Sequence, residues 1–242
     1  MFNLTKKTQL FISDLDGTII ETEDYHRMAY NALFSELGLS RKWSKQEYVD
    51  RLQTMGGNKI REVFSWLRLP EEEYKETKKR LYEQKTKLYV DLITRDLRTG
   101  KLTLRPGIRR FFDDLREENI PIAIATACVG WAAERVVEAA LGFKFLKSLT
   151  CLCGGEATRR HKPSPDIYLL VAERSGVDAD ACVVLEDTWH GMTAAKEAGM
   201  ICITTPSEFA QGHDFSRADL ILKDLETPTP LMAKDLDKLF ES

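Results

Sequence analysis

The chain has 242 residues, 35 of them basic and 38 acidic, so its formal net charge is −3. Apolar residues make up 43 % of the chain and charged residues 30 %, a composition typical of a packed globular protein that excludes an intrinsically disordered one. The near balance of charge provides no basic field for nucleic acid or an anionic membrane, and the odd count of five cysteines argues against a disulfide framework.

The first predicted element is a buried strand over residues 9–13, a short apolar run that stops at Asp14. Helical patterns then follow one another from residue 24 to residue 98, and no segment among them is convincing as a strand. The first of four helices carries one apolar face and ends near Gly38, and Pro70 with the glutamates after it opens the fourth. This block is therefore predicted to be an all-helical unit.

Two more helices are expected between these. Ser44 and Glu47 have the spacing of a capping box, in which each side chain satisfies a backbone donor of the other residue. The helix that they open is predicted to run to Met55 and to be ended by the glycine pair at positions 56 and 57. Asn58 is expected to cap the following helix.

From Leu104 onward, strand and helix patterns alternate. Predicted strands cover residues 121–126, 149–153, 181–185, 201–204 and 220–222. Predicted helices begin after Pro106-Gly107 and cover residues 131–141, 166–174 and 192–198, and a last helix closes the C-terminus. Alternation at this spacing, with apolar strands throughout, predicts a parallel sheet covered on both faces. The sequence thus predicts an α/β core that is interrupted after its first strand by a helical insert.

Polar residues follow four of the predicted strands, at the edge where open α/β sheets bind ligands. These residues are Asp14 and Asp16, Thr126 (followed by Ala127), Lys162, and Glu186 with Asp187. Carboxylates crowded together repel one another unless a cation lies between them. A hard divalent ion meets that need, Mg²⁺ above all, because it takes oxygen ligands and pairs with substrate phosphate. The lysine and the threonine are then expected to hold a phosphoryl group.

The spacing of Asp14 and Asp16 suits two carboxylates with different tasks. Asp14 can attack phosphorus as a nucleophile and form an aspartyl-phosphate. Asp16 lies on the same side of an extended chain, where it can protonate the bridging oxygen and then activate water. Gly17 lets the chain turn close to the phosphate.

Together these residues resemble the four motifs of the haloacid dehalogenase superfamily, namely Asp14-Leu-Asp16-Gly17-Thr18, Thr126, Lys162-Pro163, and Glu186-Asp187 before Gly191. The resemblance implies a Rossmann-like parallel sheet core of residues 1–22 and 103–242, with an inserted all-helical cap domain of residues 23–102. It implies that Asp14 is the nucleophile, that Asp16 is the acid/base, and that Thr126, Ala127 and Lys162 bind phosphate. It also implies that Mg²⁺ is held by Asp14, Asp16 (through its carbonyl), Glu186 and Asp187.

The helical insert is similar to the cap of the β-phosphoglucomutase-like branch, and the similarity is closest to CbbY-type phosphatases of sugar bisphosphates. The matching features include Glu21-Thr22-Glu23, His26-Arg27, Met55-Gly56-Gly57, Arg105-Pro106-Gly107 and the segment from Lys162 to Tyr168. Members of that group hydrolyse xylulose-1,5-bisphosphate. The resemblance implies that a closing cap, with hinges near residues 20–24 and 98–105, covers a substrate bound by Glu21, His26, Gly57, Asn58, Lys59 and Arg61.

We therefore expect a Mg²⁺-dependent phosphatase of a small sugar phosphate or bisphosphate, cytoplasmic and monomeric, with no nucleic-acid or membrane partner. A phosphomutase of the β-phosphoglucomutase type uses the same residues and stays open as an alternative. A non-enzymatic phospho-aspartate signalling module is disfavoured by the helical insert and by Glu186-Asp187 late in the chain. The pattern Cys151-x-Cys153, with His161 nearby, is also compatible with a site for a soft metal ion. We favour the interpretation that both are buried cysteines on one face of a strand.

Overall fold

The computed structural model describes residues 7–52 and 57–241, without the side chains of residues 57 and 58. The chain divides into two compact units, one of residues up to Glu21 and from Gly100 onward, the other of residues Thr22–Thr99. The predicted cap covers residues 23–102. The observed unit begins one residue earlier, at Thr22, and ends three residues earlier, at Thr99. Among the described residues, no helix combines the length and the apolar character needed to cross a bilayer.

The second unit is built from helices packed around an aromatic core. Its helices are α1 (Glu23–Glu36), α2 (Lys45–Asp50), α3 (Gly57–Leu67) and α4 (Tyr74–Arg98), with a short 3₁₀ turn at Glu71–Glu73 before α4. Buried side chains of these helices, together with Trp43 between α1 and α2, meet in one cluster of Tyr30, Leu33, Phe34, Trp43, Tyr48, Ile60, Val63 and Leu81. We name this unit the helical unit.

The observed end of α2 and the observed start of α3 differ from the predicted ones. The capping box of Ser44 and Glu47 is confirmed, because the Ser44 hydroxyl accepts from the Glu47 amide and the Glu47 carboxylate accepts from the Ser44 amide. However, α2 ends at Asp50 instead of Met55, which itself lies outside the described residues. Gly57 is the first residue of α3 and not the terminator of α2, so Asn58 lies within the helix instead of capping it. Of the apolar residues Tyr48 and Val49 in α2, only Tyr48 is buried, so little tertiary packing supports a longer helix.

The first unit is an α/β sandwich that we name the α/β unit. Its strands are β1 (Leu10–Ser13), β2 (Ile122–Ala125), β3 (Leu152–Cys153), β4 (Cys182–Glu186), β5 (Ile201–Thr204) and β6 (Leu220–Ile221). Its helices are α5 (Ile108–Glu117), α6 (Gly130–Leu141), α7 (Phe143–Ser148), α8 (Asp166–Ser175) and α9 (Trp189–Glu197). The predicted fold class is confirmed.

All neighbouring strands are parallel, in the order β3-β2-β1-β4-β5-β6. The central strand β1 is buried along its whole length, with Phe11 paired to Ile122 on one side and Val183 on the other. Strand order reverses between β1 and β4, and such a switch point opens a crevice at the carboxyl ends of the strands.

Two helical segments differ from the predicted pattern. Helix α7 was not predicted, because six residues carry less than two turns of apolar periodicity. The C-terminal segment Ala233–Phe240 is a 3₁₀ helix. Its apolar positions Ala233, Leu236 and Leu239 recur every three residues, which is the period of a 3₁₀ turn.

Candidate active site

The switch point of the sheet brings together residues that are far apart in sequence. Asp14 directly follows β1, Thr126 directly follows β2, and Glu186 ends β4 with Asp187 after it. Because β2, β1 and β4 are adjacent and parallel, all of these residues lie at one edge of the sheet. This edge of the α/β unit is the candidate active site.

An acidic triad lies at the centre of this site. Carboxylate oxygens of Asp14, Glu186 and Asp187 all lie within 4.8 Å of one another, and all three residues are buried. Burial, together with the neighbouring carboxylate of Glu186, raises the pKa of Asp14 to about 7 although Lys162 opposes the shift. Burial and the carboxylates of Glu186 and Asp14 raise the pKa of Asp187 well above its ordinary value. The triad therefore favours whatever positive charge can enter it.

Lys162 supplies one such charge from the loop between β3 and α8. Its Nζ lies 2.7 Å from Asp14 Oδ1 and 2.6 Å from Glu186 Oε1, and it donates to the carbonyl of Ala125 at 3.0 Å. Burial opposes the charge of this ammonium, but the two facing carboxylates outweigh burial and raise the pKa of Lys162. Lys162 is therefore a charged lysine that holds the side chain of Asp14 in a fixed orientation.

Glu186 is anchored through both of its oxygens. Besides Lys162, Oε1 accepts a hydrogen bond of 2.5 Å from the Tyr168 hydroxyl. Oε2 accepts from the backbone amide of Asp187 at 3.1 Å and from the Thr188 hydroxyl at 3.4 Å. These contacts fix the carboxylate beside Asp14 and make Glu186 the partner that positions Lys162.

Asp16 lies beside Thr126 and outside the acidic triad. The Thr126 hydroxyl donates to Asp16 Oδ2 at 3.3 Å and accepts from the amide of Cys128 at 3.0 Å. Thr126 thus links Asp16 to the loop that opens α6, whereas Ala127 in the same loop is exposed. The structure brings Asp14, Thr126 and Lys162 together, and the side chain of Asp16 is only half-buried next to them.

Gly17 turns the chain where it passes Asp187. Its φ is +84°, and a Cβ at this position would overlap the Asp187 carboxylate. The next residue, Thr18, donates through its hydroxyl to Asp187 Oδ1 at 3.2 Å. The Asp-x-Asp-Gly-Thr segment therefore approaches Asp187 closely on account of its glycine.

Substituting Gly17 with alanine is expected to lower turnover of p-nitrophenyl phosphate about 100-fold, because the added methyl displaces the Asp187 carboxylate. Gly176→Ala is the matched control. Gly176 also has a left-handed φ, +66°, but nothing lies within 4 Å of its added Cβ. Both variants are expected to lose about 1–2 kcal/mol of unfolding free energy for the backbone conformation alone. Equal activities of the two variants would show that the approach of Gly17 to Asp187 is irrelevant to turnover.

Arg105 and Tyr168 belong to the site although no role was predicted for either. The Arg105 guanidinium is nearly buried and donates to the carbonyls of Gly17, Thr205 and Pro206, and its Nε lies 3.3 Å from Glu21. Arg105 therefore joins the turn after Asp16 to the loop after β5 through hydrogen bonds. The only sequence signal was an arginine before a Pro-Gly pair, which does not reveal such distant partners.

Two of the predicted substrate contacts lie in the helical unit, where Lys59 is buried and His26 is half-buried. The His26 ring stacks on Tyr89 at 4.1 Å, and its Nδ1 lies 2.7 Å from the Nζ of Lys85. Burial, with Lys85 and Lys59 nearby, lowers the pKa of His26 well below its ordinary value, so the ring is neutral. Nδ1 then accepts from Lys85, which leaves Nε2 as the protonated nitrogen.

The remaining predicted substrate contacts are placed differently. Arg61 is exposed and pairs with Glu71 at 2.6 Å, with its guanidinium over the Tyr74 ring. Gly57 and Asn58 lie in the first turn of α3, and their side chains are outside the described part of the chain. Glu21 belongs to the α/β unit, where it pairs with Arg105.

The acidic triad fits a divalent cation. The three buried carboxylates have oxygen atoms within 4.8 Å of one another and form a donor set of the kind that hard cations prefer. The pKa values of Asp14 and Asp187 are raised, so a cation beside them is favoured. Asp14 also lies against Lys162, so an electrophilic phosphorus placed there meets a carboxylate nucleophile and a cationic partner. The arrangement is suited to phosphoryl transfer.

Known proteins are similar to this chain over nearly its whole length. A family model described as haloacid dehalogenase-like hydrolase matches residues 8–199. The chain is 35 % identical over 229 residues to "Protein CbbY, plasmid" of Cupriavidus necator, covering 93 % of this chain and 88 % of that protein. The crystal structure of CbbY from Rhodobacter sphaeroides in complex with phosphate has a TM-score of 0.80 at 30 % identity, covering 94 % of this chain and 99 % of that one. A mutant of that protein in complex with xylulose-(1,5)bisphosphate has a TM-score of 0.79 at 30 % identity, covering 93 % and 97 %.

Proposed function

The chain belongs to the haloacid dehalogenase-like hydrolase family, and from that premise we propose a Mg²⁺-dependent sugar-phosphate phosphatase that works through an aspartyl-phosphate. The observation that carries this proposal is the position of Asp14. It follows the central strand, it is held by Lys162, and it shares a buried triad with Glu186 and Asp187.

The proposed metal ligands are the carboxylates of Asp14, Glu186 and Asp187 and the carbonyl of Asp16. Raised pKa values of Asp14 and Asp187 support this assignment, because a bound cation relieves the burial of their charges. When bound, Mg²⁺ would neutralise charge on the phosphoryl group that is being transferred. Asp14 and Asp187 then hold their ionised forms at neutral pH.

The chain's own residues supply the chemistry in two steps. In the first, the Asp14 carboxylate attacks phosphorus while Asp16 gives its proton to the leaving oxygen. In the second, Asp16 takes a proton from water, which hydrolyses the aspartyl-phosphate and regenerates Asp14. We assign binding of the phosphoryl group to Lys162, Thr126 and the backbone at Ala127.

The proposed substrate is a sugar bisphosphate, with xylulose-1,5-bisphosphate as the first candidate. The mutant CbbY crystallised with this compound supports the choice, as does the 35 % identity to another CbbY protein. Two buried lysines beside His26 give the helical unit a basic interior that suits an anion. The residues that we propose to contact the substrate are Glu21, His26, Gly57, Asn58, Lys59 and Arg61.

Phosphate release from a panel of pentulose and hexose bisphosphates tests the function. We expect kcat/KM for the preferred bisphosphate to exceed that for p-nitrophenyl phosphate by at least about 100-fold, because remote binding energy is used in the transition state. Enzyme stripped with a chelator is expected to be inactive until Mg²⁺ is restored.

Two other products would contradict a hydrolase. Glucose 6-phosphate formed from β-glucose 1-phosphate and a bisphosphate primer, without inorganic phosphate, identifies a mutase. A long-lived acyl phosphate on Asp14 with no release of phosphate identifies a signalling module. β-Glucose 1-phosphate supplied without the primer is the control for the mutase assay.

A further inference from the structure

Two cysteines lie on either side of Leu152 at the edge of the sheet, Cys151 directly before β3 and Cys153 within it. The carbonyl of Cys151 accepts from the amide of Ile124 at 3.0 Å, and the carbonyl of Cys153 accepts from the amide of Thr126 at 3.0 Å. Both cysteines are thus in extended backbone paired with β2, and residues two apart in a strand project from the same face. Cys153 is buried, whereas Cys151 is half-buried and so within reach of a small reagent.

Both sulfurs lie against α8, in an environment that favours a thiolate. The Cys151 sulfur is 3.7 Å from the Ser175 hydroxyl, and Nη1 of Arg174 is 3.3 Å from the Cys153 sulfur. Contact with Cys153, followed by the Ser175 hydroxyl and the Arg174 guanidinium, lowers the pKa of Cys151. The hydroxyl of Ser175 and the guanidinium of Arg174 thus lie beside the two sulfurs, and Cys151 presents a nucleophilic sulfur.

The segment after these cysteines is bound to the loop that carries Thr126. Besides the bond from Thr126 to Cys153, the amide of Gly155 donates to the carbonyl of Cys128 at 2.8 Å. The amide of Gly130 donates to the Glu156 carboxylate at 2.9 Å. A change in the length of β3 is consequently transmitted to Thr126, which contacts Asp16.

We propose that Cys151 and Cys153 form a thiol modification site, which a low-molecular-weight disulfide oxidises to an intrachain disulfide that slows turnover. The Cys151 thiolate attacks the reagent's disulfide, joins one half of it and releases the other half as a thiolate. Cys153 then loses its proton and attacks the Cys151 sulfur, which closes the bridge and releases the second thiol. Two protein thiols are oxidised, and one reagent disulfide is reduced to two thiols.

Closing this bridge must shorten β3. Same-face side chains two residues apart in a strand leave the backbone about 6.6 Å apart, whereas a disulfide needs Cβ atoms about 3.5–4.5 Å apart. The shortening strains the bonds from Ile124 and Thr126 to the two cysteine carbonyls. A displacement of about 1 Å at a reactive centre costs up to about 100-fold in rate, so we expect a loss of roughly tenfold to 100-fold.

The experiment treats the full-length enzyme with 5,5′-dithiobis(2-nitrobenzoic acid) and follows release of the coloured thiol. The expected result is rapid release of two equivalents, an intact mass lower by two hydrogens with no retained adduct, and a mapped Cys151–Cys153 bridge. Turnover of p-nitrophenyl phosphate is expected to fall with the second equivalent and to return after dithiothreitol. The thiol count and the mass need no enzyme activity, so they test the site even if the proposed function is wrong.

Matched variants separate the steps. Cys153→Ser is expected to release one equivalent and to retain an adduct on Cys151. Cys151→Ser is expected to lose the rapid phase while keeping the turnover of the reduced enzyme. Cys202→Ser, at a fully buried cysteine, is expected to behave as the unsubstituted chain. Any one of three results overturns the site. The first is a persistent adduct on Cys151 while Cys153 is present, and the second is a disulfide between other cysteines. The third is a reaction of Cys151 that is no faster than that of Cys202. A closed bridge with unchanged turnover overturns the regulation.

Discussion

Asp14→Asn is expected to reduce phosphate release by about 10⁴-fold to 10⁶-fold, which is the range for removing a covalent nucleophile. Asparagine keeps the size of the side chain and one oxygen that can accept from Lys162, but its neutral amide is too weak a nucleophile to form an acyl phosphate. The loss is therefore expected in kcat, while the KM for p-nitrophenyl phosphate changes by less than about tenfold. Steady-state assays at saturating Mg²⁺ measure both constants.

Asp113→Asn is the matched control for this substitution. Asp113 is an exposed aspartate on α5 that lies 3.7 Å from Arg116, and its loss is expected to leave turnover unchanged. Incubation with substrate followed by mass spectrometry adds a direct measurement: the unsubstituted enzyme is expected to carry a phosphoryl group at residue 14, and the variant is not. Residual turnover above one per cent in Asp14→Asn would mean that another group attacks phosphorus.

The parts of the site that depend on strand ends could be predicted from sequence, because parallel strands bring their carboxyl ends together. Asp14, Thr126 and Asp187 each follow a short buried apolar run, and the structure places them at one edge of the sheet. Lys162 lies nine residues beyond β3, yet its long side chain reaches the same edge. The roles of these residues stay a prediction, whereas the fold class is confirmed.

The contacts that orient the site could not be predicted, because they join side chains distant in sequence. Nothing near Arg105 indicates that its guanidinium binds the carbonyls of Gly17 and Thr205. Likewise, Tyr168 donates to Glu186 across 18 residues. Local patterns predict which elements form. Which side chains meet depends on how those elements pack.

Lys162→Met is the second substitution with a large expected effect, because it acts on activity and on stability together. It removes the cation that faces both Asp14 and Glu186, and breaking a buried pair by removing one partner costs about 3 kcal/mol or more. At about 2–4 °C per kcal/mol for a chain of this size, the midpoint of thermal unfolding is expected to fall by roughly 6–12 °C. Turnover is expected to fall by about 100-fold to 1000-fold, because one charged donor to the phosphoryl group is lost. Thermal unfolding of chelator-treated protein measures the first effect without a metal ion to replace the lost charge.

Two further variants show whether the buried charge is the cause. Lys196→Met removes the pair with Asp219, which is 2.6 Å long but partly exposed, so its expected cost is below about 1 kcal/mol. Adding Glu186→Gln to Lys162→Met removes one of the stranded carboxylates, so the double variant is expected to regain part of the lost stability but none of the turnover. Recovered stability without recovered turnover separates the two tasks of the lysine, which are to offset buried negative charge and to bind the phosphoryl group. A Lys162→Met protein as stable as Lys196→Met would show that the carboxylates of Asp14 and Glu186 do not depend on the ammonium between them.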